Sequence, residues 1–196
     1  MKSLFPSAPA TITILALLLC AGRTVSAQAK ATASGPGSYV SVGGEGSIFQ
    51  ADYDKRYLGG IAAYVDVHPQ WRYGAEVEAR FLRFNTDESV TESTYLVGVH
   101  INALPGRLRP YGKFLIGVGK MNFPFNYATG NYLVYAPGGG LDYELNERWT
   151  VRFVDAEYQV WPQFTFGPLH PYGVSAGIAF RLNPEYTIPK HARGRN

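Results

Sequence analysis

Residues 71–84 read WRYGAEVEARFLRF, and the alternation within this stretch decides how the rest of the chain is read. In an extended conformation Tyr73, Ala75, Val77, Ala79 and Phe81 fall on one side, while Arg72, Gly74, Glu76, Glu78, Arg80 and Leu82 fall on the other. Successive side chains of a strand point to opposite faces, so this period of two predicts a strand with one apolar and one charged face. Taken alone, the stretch fits two barrels. A water-soluble barrel of the lipocalin kind turns its charged face out, and a membrane-spanning barrel turns it in.

Neighbouring stretches decide between them. Leu133/Tyr135/Pro137/Gly139/Leu141/Tyr143, Gly112/Phe114/Ile116/Val118 and Tyr172/Val174/Ala176/Ile178/Phe180 each form an uncharged face. The opposite faces carry Gly138, Gly140, Gly117, Gly119, Gly173 and Gly177, where a soluble core needs bulky apolar groups. Small residues interleaved with charges suit a narrow polar interior instead, with the uncharged faces turned to lipid. The same alternation predicts eight strands: Ser38–Phe49, Arg56–His68, Trp71–Phe84, Glu92–Asn102, Arg109–Met121, Tyr132–Leu145, Trp149–Trp161 and Pro171–Leu182. Each has the length a tilted strand needs to cross an outer membrane. No stretch is a strong helix candidate.

The connectors alternate as well. Pro69-Gln70, Ala103–Leu108 and Asn146–Arg148 are tight, whereas Ala51–Lys55, Asn85–Thr91, Asn122–Asn131 and Pro162–His170 are mostly longer. Short periplasmic turns and longer outer loops are the rule in such barrels, which puts both termini on the periplasmic side. The expected class is all-β: a closed antiparallel transmembrane barrel of about eight strands over residues 38–182.

The ends read as processing and tail segments. Lys2, the apolar run Ile12–Ala21 and Val25-Ser26-Ala27 together predict a cleaved signal peptide over residues 1–27. Leu19 before Cys20 departs from a lipidation box. Residues 28–37 form a short N-terminal segment, and residues 183–196, with Pro184, Pro189, Lys190, Arg193 and Arg195, a periplasmic tail. Loss of Lys2 and Arg23 lowers the formal charge from +3 to +1, which removes a global electrostatic case for nucleic acid. Loss of Cys20, the single cysteine, removes disulfides and thiolate ligands. Aromatics at 14% and 22 glycines fit closely approaching strands girdled by rings.

The strand pair Tyr64–Phe84 around His68-Pro69-Gln70-Trp71, then Arg109-Pro110-Tyr111-Gly112 leading into Gly117-Val118-Gly119, and the hairpin Gly140–Tyr143 through Trp149–Arg152 follow one design. In their order and spacing they resemble the small outer-membrane barrel family of OmpA/OmpX type, the outer-membrane protein β-barrel domain, from about Tyr39 to Leu182. Ser175-x-Gly177-x-x-Phe180-x-Leu182 is similar to the final-strand signal read by the barrel-assembly machinery. The resemblance implies outer-membrane localisation, contact with lipid and lipopolysaccharide, and a monomer.

Alternate residues taken inward collect Glu45, Asp66, Glu76, Glu78, Asp142 and Glu144 with Arg72, Arg80, Lys113, Arg152 and Arg181, a nearly balanced set. An ion path or catalytic cluster is one reading. The favoured one is structural, because charges facing lipid cost about 2–4 kcal/mol for a cation at midplane and therefore pair inside. Arg152 and Asp155/Glu157 have opposite parity, which predicts a bulge near Phe153-Val154, and Pro137 predicts a second bulge or kink. Asp155 and Glu157 are the best carboxylate pair for an enzyme.

No His-x-Ser occurs, and His68 and His100 stand at turn-side ends, with His170 near the outer side and His191 in the tail. The expectation is that no ligands converge for a metal, that His68, His100 and His170 are interfacial or loop residues, and that no catalytic residue or cofactor is present. Gly43-Gly44-x-Gly46 lacks the helix a phosphate loop needs. Trp71, Tyr73, Tyr143 and Trp149 at one end, and Tyr57, Phe84, Tyr132 and Trp161 at the other, are expected as two interfacial girdles.

The expected function is a non-enzymatic outer-membrane protein with a structural or surface-interaction role through its loops. Phe123, Phe125 and Tyr127 in Asn122–Asn131 are the best candidates for contact with a surface ligand. A small pore and a lipid-modifying enzyme are the alternatives.

Overall fold

Side chains that alternate along every strand leave each with one apolar edge-to-edge face, and the eight strands bury the other by closing on themselves. The computed structural model describes residues 38–52, 57–84, 90–122, 129–162 and 167–182. The strands are β1 (Tyr39–Gln50), β2 (Tyr57–His68), β3 (Tyr73–Phe84), β4 (Thr91–Asn102), β5 (Leu108–Asn122), β6 (Thr129–Glu144), β7 (Trp149–Tyr158) and β8 (Tyr172–Arg181). Each pairs antiparallel with its chain neighbours, and β1 pairs with β8 from Ser41↔Arg181 to Gln50↔Tyr172, so no edge remains. All regular elements among the described residues are strands. The predicted signal peptide, the segment to residue 37 and the tail lie outside the described residues.

Boundaries agree with the alternation to within a residue or two, except in β6 and β7. β6 begins at Thr129, because its pairing with β5 continues to Asn122↔Thr129 and draws part of the expected Asn122–Asn131 loop into the wall. β7 ends at Tyr158, beyond which the single bridging pairs Tyr135–Val160 and Trp161–Leu169 carry the chain onward.

The two irregularities behave differently. Asp142 pairs with Arg152 and Leu141 with Val154, leaving Phe153 as the extra residue of a bulge at the expected place. Across the other edge, Arg152 meets Gly177 and Asp155 meets Ser175. Pro137, by contrast, causes no register shift: pairing with β5 runs through Phe114↔Pro137 unbroken. Tyr135 exchanges both backbone bonds with Val160, at 3.0 and 2.8 Å, so residue 137 faces the same neighbour, where its missing N–H interrupts the ladder. Of the bulge or kink expected at Pro137, the bulge is therefore corrected to a gap in the β6–β7 hydrogen bonds.

Apolar side chains coat the outside, including Ile61, Val77, Val97, Val99, Phe114 and Val174. Tyr73 and Trp149 stand exposed at the turn end. Trp161 departs from its expected girdle position: it is fully buried in the lumen. Its ring lies over Gly119, where a Cβ would come within 2.3 Å of it.

Candidate functional site

The lumen is built in two layers. Toward the loop end Phe49, Leu58, Leu82, Leu115, Met121, Val134 and Trp161 pack into an apolar plug, so the expectation of a uniformly polar interior holds only for the rest of the barrel. The reason lies in strand ends whose inward residues are large and apolar, some of them hidden in the sequence by interleaved glycines such as Gly117 and Gly119.

Below the plug the inward charges form one network. Arg152 is its hub, donating from Nη1 to Glu45 Oε1 at 3.0 Å, from Nη2 to Asp66 Oδ2 at 3.3 Å and from Nε to Asp142 Oδ1 at 3.1 Å. Its guanidinium lies 3.9 Å from the Tyr64 ring centre and 4.7 Å from that of Tyr111, a planar fit that an ammonium does not make. Lys113 Nζ donates to Glu76 at 3.1 Å, Glu78 at 2.9 Å and Asp155 at 2.6 Å. Arg80 bridges Glu78 and Glu157, both at 2.8 Å, and lies over the Phe49 ring. Gln159 donates to Glu157 at 2.9 Å and accepts from Trp161 Nε1 at 2.9 Å, tying the plug to the charges. At the turn end Glu144 accepts from both Arg109 and Arg181.

The bulge carries Asp155 and Glu157 inward, as expected, and the network engages both. Neither is exposed, so the carboxylate pair offered for an enzyme is held on Lys113 and Arg80. Two expectations about charge are corrected. Arg72 lies outside the lumen, since β3 starts one residue later, and its guanidinium sits 5.0 Å from the Trp71 ring centre. The set is also not balanced: among the described residues eight buried carboxylates face five buried cations, because Glu92, Asp155 and Glu157 join while Asp142 is only partly buried, and Arg109 joins while Arg72 leaves. Both oxygens of Glu92 lack a hydrogen-bond partner.

The histidines are corrected too. His68 and His100 are 1% exposed, inside the barrel at its turn end, and Asp66 stands with them. Parity could have placed them, because His68 follows Tyr64 and Asp66 by steps of two, and His100 follows Leu96 in the same way. His170 is partly exposed at the loop end, its backbone N–H donating to Asp52 Oδ2 at 2.9 Å. Phe123, Phe125 and Tyr127 lie outside the described residues.

On the outside, a shallow apolar depression of about 470 Å³ runs past the gap at Pro137, lined by Ile48, Tyr158, Tyr172 and Val174.

Among curated proteins none matches the chain. Among solved structures it is similar to Neisserial surface protein A, with TM-score 0.56 at 8% identity over 73% of this chain and 96% of that one. It is also similar to OprG from Pseudomonas aeruginosa, with TM-score 0.51 at 12% identity over 76% of this chain and 97% of that one. At such identities the likeness concerns the fold. Residues 13–181 match the family model of the outer membrane protein beta-barrel domain. The chain thus belongs to the outer membrane protein beta-barrel domain family, and its place is the bacterial outer membrane.

Proposed function

We propose that the protein is a non-enzymatic component of the outer membrane that acts through its lipid-facing wall and its outer loops, in envelope support or contact with a surface ligand. The observation that carries this reading is the filled lumen: an apolar plug above a network of ion pairs whose charged groups are buried. A catalytic pair needs access to substrate, and the candidate carboxylates Asp155 and Glu157 are enclosed. The wall serves lipid, and the depression beside Pro137 suits an acyl chain. The closed sheet suits a monomer, and Phe180 and Leu182 remain the residues offered to the barrel-assembly machinery. Lipopolysaccharide is the natural ligand of loops at this surface.

The test uses a strain lacking the protein, complemented with the wild type or with residues 123–128 replaced by Gly and Ser. The expected result is loss of detergent resistance or surface adhesion that the loop variant does not restore, although it folds. Turnover of radiolabelled lipid A by the purified barrel would overturn the reading in favour of an enzyme.

A further inference from the structure

Two lumen histidines stand beside Asp66, a buried carboxylate with one oxygen free of hydrogen bonds. The geometry points to a divalent transition-metal site at the turn end of the lumen, with Asp66, His68 and His100 as protein ligands for Zn²⁺ or an ion of similar preference. Each residue offers one donor atom, and the three atoms lie within 4.8 Å of one another. Two imidazoles and a carboxylate suit zinc, cobalt or nickel, whereas calcium and magnesium favour oxygen donors alone.

His68 and Asp66 each keep a donor outside the hydrogen-bond network, while His100 Nδ1 faces Glu76 Oε2 at 3.0 Å and Asp66 Oδ1 at 3.5 Å. His68 Nε2 and Asp66 Oδ1 are buried without a hydrogen-bond partner. Asp66 spends its other oxygen on Arg152, at 3.3 Å. Asn102 Nδ2 approaches His68 Nδ1 at 3.5 Å, yet its two hydrogens are taken by the Trp71 carbonyl at 2.6 Å and the Tyr39 hydroxyl at 3.1 Å. The imidazole of His68 is therefore not held by that amide.

The rings are also held in place. His68 stacks on Tyr39 and His100 on Tyr111, each with centroids 4.4 Å apart, and the two histidines meet edge to face at 5.0 Å. Gly74 makes the room, since a Cβ there would stand 2.6 Å from the His68 ring. Glu76 Oε2 lies 3.0 Å from His100 Nδ1, the carboxylate–histidine pairing that orients ligating histidines. The excess of buried carboxylates over cations favours an added dication. Bonds of about 2.0–2.1 Å put tetrahedral donors about 3.4 Å apart, so a small inward shift of donors that already lie within 4.8 Å of one another closes the site around the ion.

The full chain, made without a histidine tag and folded in detergent micelles, is titrated with Zn²⁺ by calorimetry and with Co²⁺ by visible absorption. One site per barrel is expected, with Co²⁺ bands that Zn²⁺ abolishes. Glu76→Gln should weaken binding by about 10–100-fold, and His68→Gln and His100→Gln by more. His170→Gln should leave it unchanged. Only variants whose unboiled gel mobility marks them as folded are titrated. In the wild type itself, Co²⁺ should shift the ring protons of His68 and His100 and spare those of His170, so the test stands even if the variants fail to fold. No uptake by folded wild type at millimolar metal, or paramagnetic shifts that miss both lumen histidines, would overturn the site.

Discussion

Arg152 shows how much one side chain can hold. Its guanidinium meets carboxylates from β1, β2 and β6 between two tyrosine rings. Replacing it leaves several buried carboxylates without a counter-charge, a loss of about 3–5 kcal/mol for a broken buried pair. Arg152→Met should therefore lower the urea midpoint of the folded barrel, and Arg152→Lys should recover only part, since an ammonium cannot fork or stack in the same way. Arg80 holds Glu78 and Glu157, and Glu76 is served by Lys113 and Arg152. Arg80→Ala should thus cost stability through Glu78 and Glu157. On the other face, Val77 is 53% exposed on the apolar wall. Val77→Arg should destabilise insertion by about 2–4 kcal/mol if the residue lies near the bilayer midplane, as read by refolding titrations into vesicles. Full tolerance there would mean the faces are reversed.

At the scale of the strand, the β7 bulge sets which residues meet lipid. Side-chain direction alternates with a period of two, so one extra residue flips everything after it. Phe153 is that residue, and beyond it Asp155, Glu157 and Trp161 all face the lumen. Deleting Phe153 removes only that extra residue and leaves Arg152, Asp155 and Glu157 inward on a regular ladder, whereas deleting Ala156 should turn Glu157 and Trp161 toward lipid. The expected outcome is heat-modifiable gel mobility for the chain lacking Phe153 and its loss for the chain lacking Ala156. A folded barrel lacking Ala156 would show that alternation in β7 does not set the register.

Side chains of the described residues fill the lumen of the barrel. Eight strands enclose an interior that side chains fill, in contrast to the aqueous channels of barrels of about 16–18 strands. Here the plug closes the loop end, and Glu144 with Arg109 and Arg181 stands at the turn end. Purified protein in planar bilayers should give only small or rare conductance steps. Stable porin-like openings from monomers would contradict the closed lumen. Coupled substitution of Trp161 and Phe49 by Ala should raise conductance only where the ion pairs below also open, because the two layers close the lumen in series.

The eight strands, their faces and the bulge at Phe153 were legible in the sequence because each depends on a local period of two, which a closed lipid-facing wall enforces residue by residue. Inward parity likewise identified Glu45, Asp66, Glu76, Glu78, Lys113 and Arg152. What local order could not contain was proximity across the lumen. Asp66, His68 and His100 come from two strands that are not neighbours, and only closure and strand stagger bring their donors together. The same holds for Trp161, whose place over Gly119 depends on the bulge and on chain returning past β7. Pro137 marked a lost donor in the sequence, but whether the strand would bulge or bridge the gap was decided by the unbroken ladder to β5 on its other side. Alternation thus determined which face each residue takes, and the tertiary structure decided which residues meet, because register around a closed barrel is a property of all eight strands at once.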